Sequence, residues 1–219
     1  MEADSMNWKK IFTVLALSAV ALVVVLLGGG MLLDPTVELH TESTLDATPE
    51  DIHPLIADPA GVMRWWQNAA SEPGHEVLAD MVMRAGDGPA TGPGATVLFE
   101  MGGSLVEEWT LVKSSPPRGA VWDVDFQVFV VRRSLLLEAL PNGRTKVTWH
   151  ETGHFDNPLM RWFTLMPTDN VIENFQGALR MLGREARAEM GAQQTAPEPG
   201  GDDDSAAAGD DDSGARGSE

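Results

Sequence analysis

Residues 143–155 read GRTKVTWHETGHF, and the fold turns on whether this stretch is a helix or a strand. His150-Glu151-Thr152-Gly153-His154 spells H-E-x-x-H, the zinc metalloprotease pattern, which needs both histidines on one face of a helix, one turn apart. The surroundings argue for a strand. Thr145, Val147, Thr148 and Thr152 are β-branched, Gly153 interrupts the pattern, and Pro141-Asn142-Gly143 ahead of it is a hairpin turn. On a strand, residues four apart share a face but lie about 13 Å apart, too far to share one zinc with bonds of about 2 Å. Thr152 also stands where zincins usually carry an apolar residue. No metal site is expected from His150 and His154, and Arg144 to Phe155 is read as the final strand of a sheet.

Working back along the chain, Thr36–Leu45, Glu76–Arg84, Ala95–Met101, Ser104–Lys113, Ala120–Val131 and Ser134–Leu140 also read as strands. Gly/Pro-rich residues 85–94, Gly102-Gly103 and Pro116-Pro117 separate them. Seven strands, mostly in consecutive hairpins, predict an antiparallel sheet. Between the first and second strands, Thr48-Pro49-Glu50-Asp51 opens one short helix. Asp58-Pro59 opens another, running through Arg64-Trp65-Trp66. After the last strand the period changes. Val171, Ile172, Phe175, Leu179, Leu182 and Ala186 recur at helical spacing, with Arg180, Arg184 and Arg187 off that stripe. Pro167 is expected to kink this long helix or part it from an earlier one at 159–166.

The order of one strand, two short helices, six strands and a long helix resembles the helix-grip fold of the START-like (SRPBCC, Bet v 1-like) superfamily. Thr48-Pro49-Glu50-Asp51-Ile52, Asp58-Pro59 before Trp65-Trp66, Gly92-Pro93-Gly94, and Gly143-Arg144-Thr145-Lys146-Val147-Thr148-Trp149 look like motifs of its polyketide cyclase/dehydrase branch. The resemblance covers Thr36 to about Ala188. It implies an α+β domain whose curled seven-stranded antiparallel sheet wraps the C-terminal helix around an apolar cavity. It further implies a bound lipid, polyketide, sterol or other hydrophobic molecule, with enzymes a minority. The family shares no catalytic set, so no catalytic residue carries over, and no cofactor is expected.

Ahead of this domain, residues 11–33 contain no charged side chain. As a helix at about 1.5 Å per residue they span about 35 Å, enough for a hydrocarbon core of about 30 Å. Trp8 suits the headgroup layer, and Lys9-Lys10 predicts a cytoplasmic N-terminus at 1–10 and an extracytoplasmic domain at 34–190. The competing reading is a cleaved signal peptide. Its apolar core is usually about 7–15 residues before a small-x-small site, which fits this run less well than an uncleaved signal anchor does. With no cysteine in the chain, disulfides, thiolate metal sites and a lipoprotein anchor are excluded.

The formal net charge is −18. Residues 191–219 carry two triple-aspartate runs and no large apolar side chain, and read as a disordered acidic tail. The aspartate spacing lacks the Gly-centred loop and closing Glu of an EF-hand. Residues 36–190 hold 22 acids against 12 bases. An acidic domain repels phosphate backbones, so nucleic acid is not an expected partner.

If the Val147/Trp149/Glu151 face covers the long helix, Trp149 and Glu151 point toward the cavity. Leu105, Glu107, Trp109 and Leu111 make a matching set, as do Trp122, Val124, Phe126 and Val128. The cavity candidates are therefore Trp109, Trp122, Phe126, Trp149, Glu107 and Glu151, with core packing the competing role for the aromatics and edge exposure for the acids. Three functions follow: a membrane-anchored domain binding a hydrophobic small molecule or lipid; a cyclase- or dehydrase-type enzyme using Glu151, Glu107 or a histidine as acid/base; and an interaction module whose interior is filled by side chains.

Overall fold

The computed structural model describes residues 8–70, 80–165 and 168–195. A helix, α1 (Trp8–Leu32), leads into strand β1 (Thr36–Leu45) and two helices, α2 (Pro49–Ala57) and α3 (Pro59–Ala70). Six strands follow: β2 (Met81–Ala85), β3 (Thr96–Met101), β4 (Ser104–Ser115), β5 (Gly119–Asp125), β6 (Val130–Leu140) and β7 (Arg144–His154). A 3-10 turn at Met160–Leu165 precedes the long helix α4 (Asp169–Thr195). All pairings are antiparallel, in the order β1-β7-β6-β5-β4-β3-β2. The H-E-x-x-H stretch is strand. His150 and His154 lie on its outer face beside Glu38 (2.8 Å) and Asp156 (3.4 Å).

Alternation sets the inner face. Thr145, Val147, Trp149, Glu151 and Gly153 of β7 are buried, while the residues between them are half-buried or exposed. Outward-facing charges pair with one another: Lys146 lies 2.9 Å from Glu42, and Arg132 grips Asp123 through two hydrogen bonds. The Lys146 ammonium lowers the Glu42 carboxyl below its ordinary value, and Asp123 raises the Arg132 guanidinium. An open recess of about 370 Å³ on this outer side adjoins Thr36, Thr152 and His154.

The helices close the inner face. Thr48 caps α2 in a reciprocal box with Asp51. The last carbonyls of α2 lack helical partners, and two indoles supply them: Trp65 donates to Leu55 (2.9 Å) and Trp122 to Ile56 (2.8 Å). Buried Phe175, Leu179, Leu182 and Ala186 turn most of the expected stripe of α4 inward, while Val171 in its first turn is 37% exposed and Ile172 half-buried. A Cβ on Gly183 would sit 2.9 Å from the Leu45 side chain, so glycine lets α4 approach β1 closely.

Several boundaries differ from the sequence reading. The second strand begins at Met81, and residues 76–79 lie outside the described residues. The break expected at residues 132–133 falls earlier. Asp125 accepts from the Gln127 N–H (2.6 Å), Gln127 adopts φ 70°, and the chain re-enters the sheet at Val130. Val128 is consequently 70% exposed, not part of an inward face with Trp122. Helix α4 runs to Thr195, five residues into the stretch read as tail; residues 196–219 and Pro167 lie outside the described residues. Helix α1 is 25 residues, about 37 Å, and long and apolar enough to cross a membrane. Gly28-Gly29-Gly30 lies within the helix. Gly29 and Gly30 are helical and admit the side chain of Trp162 and the carbonyl of Pro158.

Candidate functional site

Between the sheet and α4 lies a polar pair inside an aromatic shell. Arg133 of β6 follows the period-two pattern Val131, Arg133, Leu135, Leu137, all buried. Its cross-strand neighbour on β7 is Glu151. The side chains are only 4% and 8% exposed, and Arg133 Nε donates to Glu151 Oε1. The Trp149 indole donates to the same oxygen (3.2 Å). The guanidinium carbon lies 4.1 Å from the Trp109 ring centroid and 4.8 Å from that of Trp149, within cation–π range. Trp149 stacks on Phe175 of α4 (4.7 Å, 14°).

Trp66 of α3 meets this group from the helical side, at 5.4 Å from Trp109 and 6.4 Å from Trp149. Phe99 lies 4.9 Å from Trp109. Among the described residues, two buried side-chain polar atoms have no hydrogen-bond partner: Arg133 Nη1 and Trp66 Nε1. Both are donors, and both belong to this one group. Hydrogen-bond donors without partners are rare in folded interiors because each forfeits the solvation it had in water.

Of the residues singled out from sequence, Trp109, Trp149 and Glu151 come together here. Trp122 touches the group at its margin, 6.1 Å from Trp109, with its indole committed to α2. Glu107 is half-buried and accepts from the Trp109 indole (2.9 Å). Phe126 packs at the border of the core, in a ring series with Phe129 and Phe155 toward the end of the sheet where β1 begins. Arg133 is not among the candidates from sequence because residues 132–133 read there as a break between strands. The alternation through Val131, Arg133, Leu135 and Leu137 is the signal that marks it as inward. The unpartnered N–H of Trp66 is invisible in sequence.

The family model described as polyketide cyclase/dehydrase and lipid transport matches residues 36–187. No curated protein matches the chain. Among solved structures, a norcoclaurine synthase point mutant from Thalictrum, in complex with a transition-state analogue, has a TM-score of 0.52 at 8% identity, covering 71% of this chain and 96% of its own. A major latex-like protein from Panax ginseng has a TM-score of 0.51 at 12% identity, covering 69% and 98%. These likenesses establish the fold, a helix-grip (Bet v 1-like) domain.

Proposed function

Because the chain belongs to the polyketide cyclase/dehydrase and lipid transport family, we propose that its domain takes up a hydrophobic small molecule or lipid between the sheet and α4. The molecule carries a hydrogen-bond acceptor, and α1 holds the domain at a membrane. The observation behind this reading is the pair of unpartnered donors, Arg133 Nη1 and Trp66 Nε1, within the aromatic shell. A buried ion pair adds little stability over apolar residues of similar volume, and each orphaned donor costs about 1–3 kcal/mol. Packing alone does not call for such an arrangement. An acceptor on the bound molecule would satisfy an orphaned donor, while Trp109, Trp149 and Phe99 cover the apolar body. Since Arg133 and Glu151 neutralise one another, a carbonyl or hydroxyl serves as well as a carboxylate.

Binding fits better than acid/base chemistry. Glu151 Oε1 takes two donors and Glu107 takes one, which suits recognition and orientation rather than a free base. Lys9 and Lys10 favour a cytoplasmic N-terminus and an extracytoplasmic domain.

The test uses the full chain in lipid nanodiscs. Native mass spectrometry identifies any molecule retained, and titration with oleic acid compares the native chain with Trp149→Phe and Trp109→Phe. These substitutions keep most of the apolar bulk, so circular dichroism should report an intact fold while affinity changes. Unchanged affinity in both folded variants would place the site elsewhere or show that the interior is core alone.

A further inference from the structure

We propose that residues 159–165 form a second membrane contact, an apolar ledge seated in the bilayer interface against the end of α1. Phe163 and Leu165 on the six-residue turn Met160–Leu165, and Leu159 just before it, are exposed by 49, 60 and 45%. The polar side chains of this segment are turned back on the protein. Arg161 Nε donates to the Phe155 carbonyl (2.9 Å) and Thr164 Oγ1 to the Arg161 carbonyl (2.8 Å). Asn157 caps the start, its Oδ1 accepting from the Leu159 N–H (2.9 Å). The apolar side chains thus face outward from a tied-down backbone.

What covers them follows from α1. The Trp162 indole donates to the Leu26 carbonyl (2.9 Å), and a Cβ on Gly29 would lie 2.7 Å from that ring. A Cβ on Gly30 would collide with the Pro158 carbonyl. Leu26 lies six residues before the end of α1, about 9 Å along its axis. A core of about 30 Å needs about 20 helical residues, and counted from Ile11 that stretch ends near Gly30. The segment therefore abuts the part of α1 that emerges from hydrocarbon, where an indole suits the headgroup boundary. The occupant is lipid. The domain is acidic, so apolar insertion rather than attraction to anionic headgroups drives the contact, as in interfacial helices. A domain held by two contacts cannot swing freely about residues 33–35, which fixes the Phe126–Phe129–Phe155 end of the sheet near the lipid.

This inference rests on α1 crossing the membrane, and one experiment separates the two. The chain has no cysteine, so single variants take one nitroxide each. Phe163→Cys, Leu165→Cys, Val20→Cys in α1 and Val82→Cys on the far strand β2 are labelled in the full chain and reconstituted in phosphatidylcholine vesicles. Collision with oxygen and with a water-soluble nickel chelate reads depth. We expect Val20 to report hydrocarbon, Val82 water, and Phe163 and Leu165 the interface, with oxygen collisions several-fold favoured over Val82. Aqueous values at 163 and 165 with Val20 in hydrocarbon would overturn the ledge alone. Shielding of 163 and 165 from both reagents would overturn it in favour of a protein contact. An aqueous Val20 would overturn α1 as a span, and the ledge with it.

Discussion

Replacing Glu151 with Leu should be among the most damaging changes to the fold, and adding Arg133→Met should repair most of the damage. Both side chains are over nine-tenths buried. Removing one partner of such a pair costs about 3–5 kcal/mol, because the other charge stays buried and uncompensated. Glu151→Leu belongs at the upper end: it strips the acceptor from Arg133 Nε and from the Trp149 indole together. Arg133→Met belongs at the lower end, since Trp149 still donates to the carboxylate and methionine fills much of the space between Trp109 and Trp149. In the double variant no charge remains, and one indole N–H loses its acceptor. It should lie within about 2 kcal/mol of the native chain. The assay is urea unfolding of the four proteins in one detergent, followed by indole fluorescence. With a slope of about 2 kcal/mol per molar, a loss of about 5 kcal/mol in Glu151→Leu should lower the midpoint by about 2.5 M. A double variant that loses the sum of the two single effects would refute the coupling and with it the reading of the pair. Ligand affinity should stay lost in the repaired double variant, which separates recognition from stability.

Burial pushes the His53 imidazole below its ordinary value, with Asp58 and the Gly119 backbone pulling the other way, so the unfolded chain takes up this proton more readily. Its contribution to stability should be intact above pH about 6.5 and decline as the pH falls through that value, and His53→Gln should flatten the decline in melts from pH 7.5 to 5. Thr48→Ala removes the cap of α2 and should cost about 1 kcal/mol by urea unfolding. Thr145→Val orphans the buried Ala47 carbonyl, which now accepts at 2.6 Å, and should cost about 1–3 kcal/mol in the same measurement. Alkaline phosphatase and a cytoplasm-only reporter fused after Glu219 should be respectively active and silent; the reverse would overturn the orientation.

The order of elements was legible because each carries its own signal. The caps at Thr48 and Asp58, the turn at Pro141-Asn142-Gly143 and the stripe on α4 all act within a few residues. The strand reading of H-E-x-x-H rested on local chemistry alone and agrees with β7. What escaped depended on partners distant in sequence. Arg132 and Arg133 look like a solvated break until β5 and β7 flank them: Asp123 then holds one outside and Glu151 the other inside. Likewise nothing near Gly29 and Gly30 in sequence marks them as the place where Trp162 and Pro158 pack against α1. Phe126 alternates correctly with Trp122 and Val124 and packs against the core, but its ring stacks on Phe129 beyond the Asp125–Gln127 turn.

The most direct test of ligand uptake observes the seven indole N–H groups of the nitrogen-15-labelled chain in nanodiscs. Oleic acid should shift the Trp66, Trp109 and Trp149 signals, with Trp66 moving as its N–H gains an acceptor, while Trp8 stays in place. The Arg133→Met/Glu151→Leu variant should lose the response with its spectrum otherwise native-like. Shifts confined to Trp8 and Trp162, with the interior indoles unmoved at saturating oleic acid, would contradict binding between the sheet and α4.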